Sequence, residues 1–235
     1  MTRILVGTIV AVTVGVFGCG QEKPKPLADV LNTRNEPEAA EVARAQPYIV
    51  TSPRELTQEE PRFEAGWMRA DEEGALEFRL GEERQAGELP AFRITHWRAG
   101  VINKLPAPPQ GFGLDLSRSQ ITDEELIELN GLTQLQSLSL RGTRVTDAGL
   151  KNLAGLNQLL SLDLFNNRVT DLGLKELSGL KQLQNLGLSG TQVTDAGMKE
   201  LDNLTQLQSL NLHGRVTDAG MKKLAGLTQL RRLNL

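Results

Sequence analysis

From Ile121 onward the chain repeats itself. Ile121, Val145, Val169 and Val193 open successive units 24 residues apart, and Val216 opens a fifth after 23. A period of this size is the mark of a solenoid, in which each unit is one supersecondary coil. Every unit contains L-x-x-L-x-L, as in Leu135, Leu138 and Leu140, whose last two leucines alternate to one face of a short strand. In the return segment Leu150, Leu153 and Leu156 recur every three residues, the spacing of the inner face of a short helix. Leu114 and Leu116 stand 24 residues before Leu138 and Leu140, so Gly113 to Ser119 supplies the first strand. Ordering one coil costs ~1–2 kcal/mol per residue. Its few leucines each return only about 1.5–3 kcal/mol. A single coil therefore does not fold, and neighbours must stack.

Local chemistry marks the ends of the return helices. The oxygens of Thr146-Asp147 are expected to take the free N–H groups at the helix start, so the recurring Asp147, Asp171, Asp195 and Asp218 read as caps and not as general acids. Thr122 with Glu125 has the pattern of a capping box. Gly155, Gly179 and Gly226 fall near the helix ends, where a left-handed backbone is expected. The fourth unit is one residue short at His213-Gly214-Arg215-Val216, which predicts a local change of ladder and curvature.

Over residues 111–235, the L-x-x-L-x-L runs followed by Thr or Asn and then VTDAGL resemble the leucine-rich-repeat family, nearest its ribonuclease-inhibitor-like and cysteine-containing subtypes. The resemblance implies an α/β fold: a right-handed solenoid with parallel strands on a concave face and short helices on a convex one. It further implies that Ser119, Thr143, Asn167 and Thr191, which match the family's Asn, Cys or Thr after the strand, form a structural ladder bonding loop backbone. Eukaryotic F-box proteins carry similar repeats, but no F-box-like segment precedes these.

The N-terminus reads as a leader. Arg3 precedes an apolar run from Ile4 to Phe17, then Gly18-Cys19, the layout of a signal peptide over residues 1–18. Val16-Phe17-Gly18-Cys19 resembles the lipobox of bacterial lipoproteins, with Phe17 an unusual member, and implies lipidation of Cys19 and anchoring to a lipid bilayer. Gly20, where the family's inner-membrane proteins carry Asp, favours the outer membrane in a host that has one. Residues 19–46 are rich in Pro, Glu, Ala and Lys and read as a tether. Residues 47–110 carry Trp67 and Trp97 and read as a small N-terminal segment capping the solenoid, with strands around Leu76 and Phe78 and around Phe92 and Ile94.

Charge excludes several functions. From Gly111 to the end there are 13 basic and 13 acidic residues, and from Gln21 to Gln110 there are 12 and 16, so no basic excess exists to displace counterions from a nucleic acid. One cysteine allows no intrachain disulfide and no thiolate metal site. The two histidines, His96 and His213, stand in different parts of the chain, no phosphate or dinucleotide loop is present, and neither an enzyme nor a cofactor or metal is expected.

What remains is binding to a protein partner. Concave-face positions are expected to be mostly small and polar, such as Asp115, Ser137, Ser139 and Ser161, all facing solvent. Phe165 is the aromatic exception, and Arg141 is its neighbour one strand away. Arg141, Asp163, Phe165 and His213 are the candidate patch, since aromatic and arginine side chains dominate binding hot spots. The alternative is a structural or self-assembling envelope protein, associating through the open strand edge near Leu233 and Leu235.

Overall fold

The computed structural model describes residues 62–71, 75–81, 83–105, 108 and 110–235. The leader, Cys19, the tether and the start of the capping segment lie outside the described residues. Among the described residues nine strands form one sheet in the order β2-β1-β3-β4-β5-β6-β7-β8-β9. They are β1 (Arg62–Ala70), β2 (Leu76–Arg79), β3 (Leu89–His96), β4 (Phe112–Asp115), β5 (Leu135–Ser139), β6 (Ser161–Asp163), β7 (Asn185–Gly187), β8 (Ser209–Asn211) and β9 (Arg232–Asn234). From β3 onward all neighbours are parallel, while β1 runs antiparallel to both β2 and β3.

The repeat period fixes the register. Leu114, Leu138, Leu162, Leu186, Leu210 and Leu233 lie side by side across six strands, the one irregularity in these pairings falling earlier in β4, between Phe112 and Gly113. Behind the sheet the returns are single turns: α1 (Asp147–Leu150), α2 (Asp171–Glu176) and α3 (Asp218–Met221), each followed by a 3₁₀ turn, with 3₁₀ helices alone at Glu125–Gly131 and Gly197–Asn203. Between the two layers runs one continuous core, from Phe92 and Ile94 through the leucines of every coil to Leu227. The architecture is that of an α/β solenoid. At its far end Leu233 and Leu235 on and beside β9 are exposed.

The returns depart from the expected capping in an informative way. Thr146, Thr170 and Thr217 do cap α1, α2 and α3, each hydroxyl accepting the N–H two residues on. The aspartates do not cap their own helices. Asp147 Oδ1 accepts the backbone N–H of Thr170 at 2.8 Å and Oδ2 its hydroxyl at 2.6 Å, one coil further along. Asp123 does the same for Thr146, Asp171 for Thr194 and Asp195 for Thr217. Both oxygens are thus spent on joining coils. The partnership holds the Asp195 carboxyl below its ordinary value, chiefly through the Thr217 hydroxyl.

Left-handed backbone also sits elsewhere than expected. Gly155, Gly179 and Gly226 do not adopt it; Arg118, Gly142, Asn166, Gly190 and Gly214 do, one in the turn after each of β4 to β8. The helix ends are finished instead by 3₁₀ geometry, which needs no positive φ.

The post-strand ladder is built most fully at two positions. The Thr143 hydroxyl lies within hydrogen-bond distance of Leu140 O and Asn167 Oδ1, its one proton going to one or the other, while Asn167 Nδ2 donates to Leu140 O and Leu164 O. Thr191 donates to Leu188 O, and Ser119 accepts weakly from the Ile121 N–H. In the short fourth coil Arg215 bridges Thr194 as Arg168 bridges Thr146, so the missing residue is the ladder residue itself.

Residues 62–105 extend the sheet and then fold over it. Phe92 and Ile94 of β3 enter the core and Val101 and Ile102 close its end. β1 and β2, however, curl to the concave side, where β2 lies against β5 and β6. Arg79 at the end of β2 holds the buried Glu88, with Nε–Oε1 2.9 Å and Nη2–Oε2 2.8 Å, and Trp67 Nε1 donates to Gly81 O. The Arg79 guanidinium keeps the Glu88 carboxyl below the usual carboxylate range.

Candidate functional site

Three stripes of side chains face the concave side. The first two are fixed by the strand register: Ala91, Gly113, Ser137, Ser161, Asn185 and Ser209, then Arg93, Asp115, Ser139, Asp163, Gly187 and Asn211. Two residues further on, a third stripe runs through Ser117, Arg141, Phe165, Ser189 and His213.

The expectation that the small polar residues face water fails along most of the sheet, Ser189 and Ser209 of the later coils included. Asp115, Ser137, Ser139, Ser161 and Asp163 are buried. Over β5 and β6 the reason is β2 and its partner β1. Small side chains on the sheet leave the depth that the hairpin fills: a Cβ placed on Gly113 would stand 2.8 Å from Met68 Sδ. Phe78 of β2 meets the Arg93 guanidinium, 4.3 Å from its centroid, and Arg93 pairs with Asp115 at 2.7 Å. Sequence reading missed this second arginine-aromatic pair. Its signal was the run of Gly and Ser at positions where a solvated face tolerates larger residues.

At the margin of the hairpin the candidate residues come together, with one exception. Arg141 stacks on Phe165, its guanidinium carbon 4.0 Å from the ring centroid, and its Nη1 lies 3.8 Å from Asp163 Oδ2. Both Arg141 and Phe165 are half-buried. A cation over an aromatic face contributes about 0.5–1 kcal/mol at such a site and presents a rigid planar surface. His213 is exposed and stands two strands away from Phe165, so the structure does not join it to the cluster.

Asp163 is only 2% exposed. Its Oδ1 accepts the Phe165 N–H at 2.9 Å, while Oδ2 has no hydrogen bond among the described residues. Burial pushes its carboxyl above the ordinary value; the N–H groups of Phe165 and Leu76 and the Arg141 guanidinium oppose this, and the Asp115 charge adds to it. A carboxyl with a raised folded-state pKa contributes stability that is complete below its unfolded value of about 3.9 and is lost as pH rises through the folded value. Asp163→Asn removes that loss. Its stability relative to the parent chain is expected to rise between about pH 4 and neutrality. Urea melts at the two pH values check this, and a difference independent of pH contradicts it.

Among the described residues no group of His, Cys, Asp and Glu could hold a metal ion. The site offers stacking, hydrogen bonding and charge. Residues 133–193 match the family model described as leucine rich repeat. These coils are leucine-rich repeats. No curated protein matches the chain.

Several solved structures are similar to this chain. An internalin, inlF, from Listeria monocytogenes is 25% identical over 60% of this chain and 38% of its own, with a TM-score of 0.49. A second, internalin C2 from the same organism, is 36% identical over 52% of this chain and 50% of its own, with a TM-score of 0.44. The leucine-rich-repeat ectodomain of the receptor kinase SOBIR1 from Arabidopsis thaliana is 15% identical over 79% and 83%, with a TM-score of 0.30. The chain thus spans half or less of the length of either internalin.

Proposed function

We propose that the chain is a protein-binding leucine-rich-repeat module, of the ribonuclease-inhibitor-like or cysteine-containing kind, exported and tethered to a membrane by lipid on Cys19. Residues 1–18 serve as leader, 19–46 as tether, 47–110 as cap and 111–235 as the binding solenoid. The basic Arg3, the apolar run to Phe17 and the cysteine directly after Gly18 support export and anchoring in the cell envelope. Gly20 favours the outer membrane where the host has one.

The observation that carries the binding role is the Arg141–Phe165 stack, 4.0 Å from guanidinium to centroid, at the boundary where the hairpin cover ends. Beyond it Asn185 and Asn211 are partly accessible and His213 is exposed, while Ser189 and Ser209 between them are buried. A partner meeting this face gains a planar aromatic-cationic anchor surrounded by small side chains that allow close approach. The partner is a protein because the anchor is of the type that dominates protein interfaces and the chain lacks the basic excess a nucleic acid requires. The role is binding, without a reaction.

Affinity capture from envelope extract with the full chain tests this reading. Recovery of a protein by the parent chain, reduced at least about tenfold by Phe165→Ala, is the expected result, corresponding to ~1.4 kcal/mol or more at a hot spot. Equal recovery by both removes the concave face from the account.

A further inference from the structure

The rim on which the strands exit carries a row of arginines that the stack does not use. Arg144, Arg168 and Arg215 occupy one repeat position, in the turns after β5, β6 and β8, and Arg118 lies two residues earlier in the turn after β4. All four are exposed. None of their guanidinium groups makes a hydrogen bond or ion pair among the described residues. Their backbones are fixed: Arg168 N–H bonds Val145 O, Arg118 N–H bonds Arg141 O, and Arg168 and Arg215 form parallel bridges to Thr146 and Thr194. In three of these turns the carboxylate is already engaged, since Asp123, Asp147 and Asp171 each give both oxygens to a threonine of the next coil, while Asp218 beside Arg215 is exposed.

We propose that this rim docks an acidic, extended polypeptide segment of the partner, with glutamate or aspartate side chains laid along Arg118, Arg144, Arg168 and Arg215. This rests on the reading of the chain as a protein-binding module and adds the chemistry of what it binds. The row is one side chain wide. At ~4.8 Å per strand it runs roughly 19 Å, the reach of about six residues of extended chain. A row one side chain wide matches a narrow chain and not a planar membrane. The row also adjoins the Arg141–Phe165 stack, which follows the same turns on the concave side, so one partner can engage both.

The test measures anisotropy of a fluorescent dodeca-glutamate peptide with the full chain at low and high salt. The parent chain is expected to bind, with affinity falling steeply as salt is raised. Arg144→Glu with Arg168→Glu is expected to weaken it at least tenfold while melting no lower than the parent, because neither guanidinium supports the fold. Absence of binding at low salt, equal binding by the variant, or stronger binding to phosphatidylglycerol vesicles than to the peptide overturns the proposal. With the captured partner, a loss on Phe165→Ala but none on the double reversal overturns the rim and leaves the concave face standing.

Discussion

Leu162→Ala is expected to cost about 2–5 kcal/mol, the range for emptying a close-packed leucine site. Leu162 is 1% exposed in the middle of the register row, with Leu138 and Leu186 beside it. Stability of a small domain is only about 5–15 kcal/mol, so this single truncation removes a large part of it. In a solenoid the loss is felt first by the coils on either side, because each coil is supported only by its neighbours. Leu233 occupies the equivalent place in β9 but is 41% exposed, and its replacement by Ala is expected to cost less than about 1 kcal/mol. Denaturant melts of the two variants separate burial from sequence pattern. Equal losses contradict the stacked core.

The second large effect opposes simple propensity. Gly173 lies within α2, where helix propensity alone favours Ala by about 1 kcal/mol. The structure reverses the sign. A Cβ there would stand 2.3 Å from Asp147 Oδ1 and 3.0 Å from both Leu150 Cδ1 and Val169 Cγ1. Asp147 cannot retreat without releasing Thr170. Gly173→Ala is therefore expected to destabilise by about 1–3 kcal/mol, as overpacking does. Gly155 has open space around its Cβ and no positive φ, and Gly155→Ala is expected to stabilise by about 0.4–1 kcal/mol. Thermal melts that rank the two in the opposite order contradict the aspartate-threonine ladder.

That ladder shows where sequence reading stops. The period alone places Leu138, Leu162 and Leu186 in one row, because stacked coils of equal length force equal positions into register. It also places Arg141 beside Phe165, since the two are 24 residues apart. The role of the aspartates was not legible, because Ser, Thr and Asp accept N–H groups equally well from their own helix or from the next coil, and only the geometry of stacking decides. T-D-x-G is a linked set: Thr caps, Asp reaches forward, and Gly vacates the place that the preceding Asp occupies. The glycines near the helix ends suggested left-handed turns, but short returns end in 3₁₀ geometry and the positive φ moves to the post-strand turn.

The concave face was only partly readable for a related reason. Ser137, Ser139 and Ser161 carry the same letters whether water or a hairpin covers them. β2 is four residues long, and nothing local in Leu76-Glu77-Phe78-Arg79 states that it folds back over β5 and β6. The burial of Asp163 follows from that cover and could not be derived from the repeat.

Two faces of the solenoid compete for the partner. Leu172 on the convex side is the strongest rival, an apolar side chain 74% exposed on α2, whereas Phe165 is half-buried under Arg141 on the concave side. Calorimetric titration of the captured partner against Phe165→Ala and Leu172→Ala decides between them. Binding at least tenfold weaker for Phe165→Ala and unchanged for Leu172→Ala is the expected result. Weakened binding for Leu172→Ala with Phe165→Ala unaffected contradicts it.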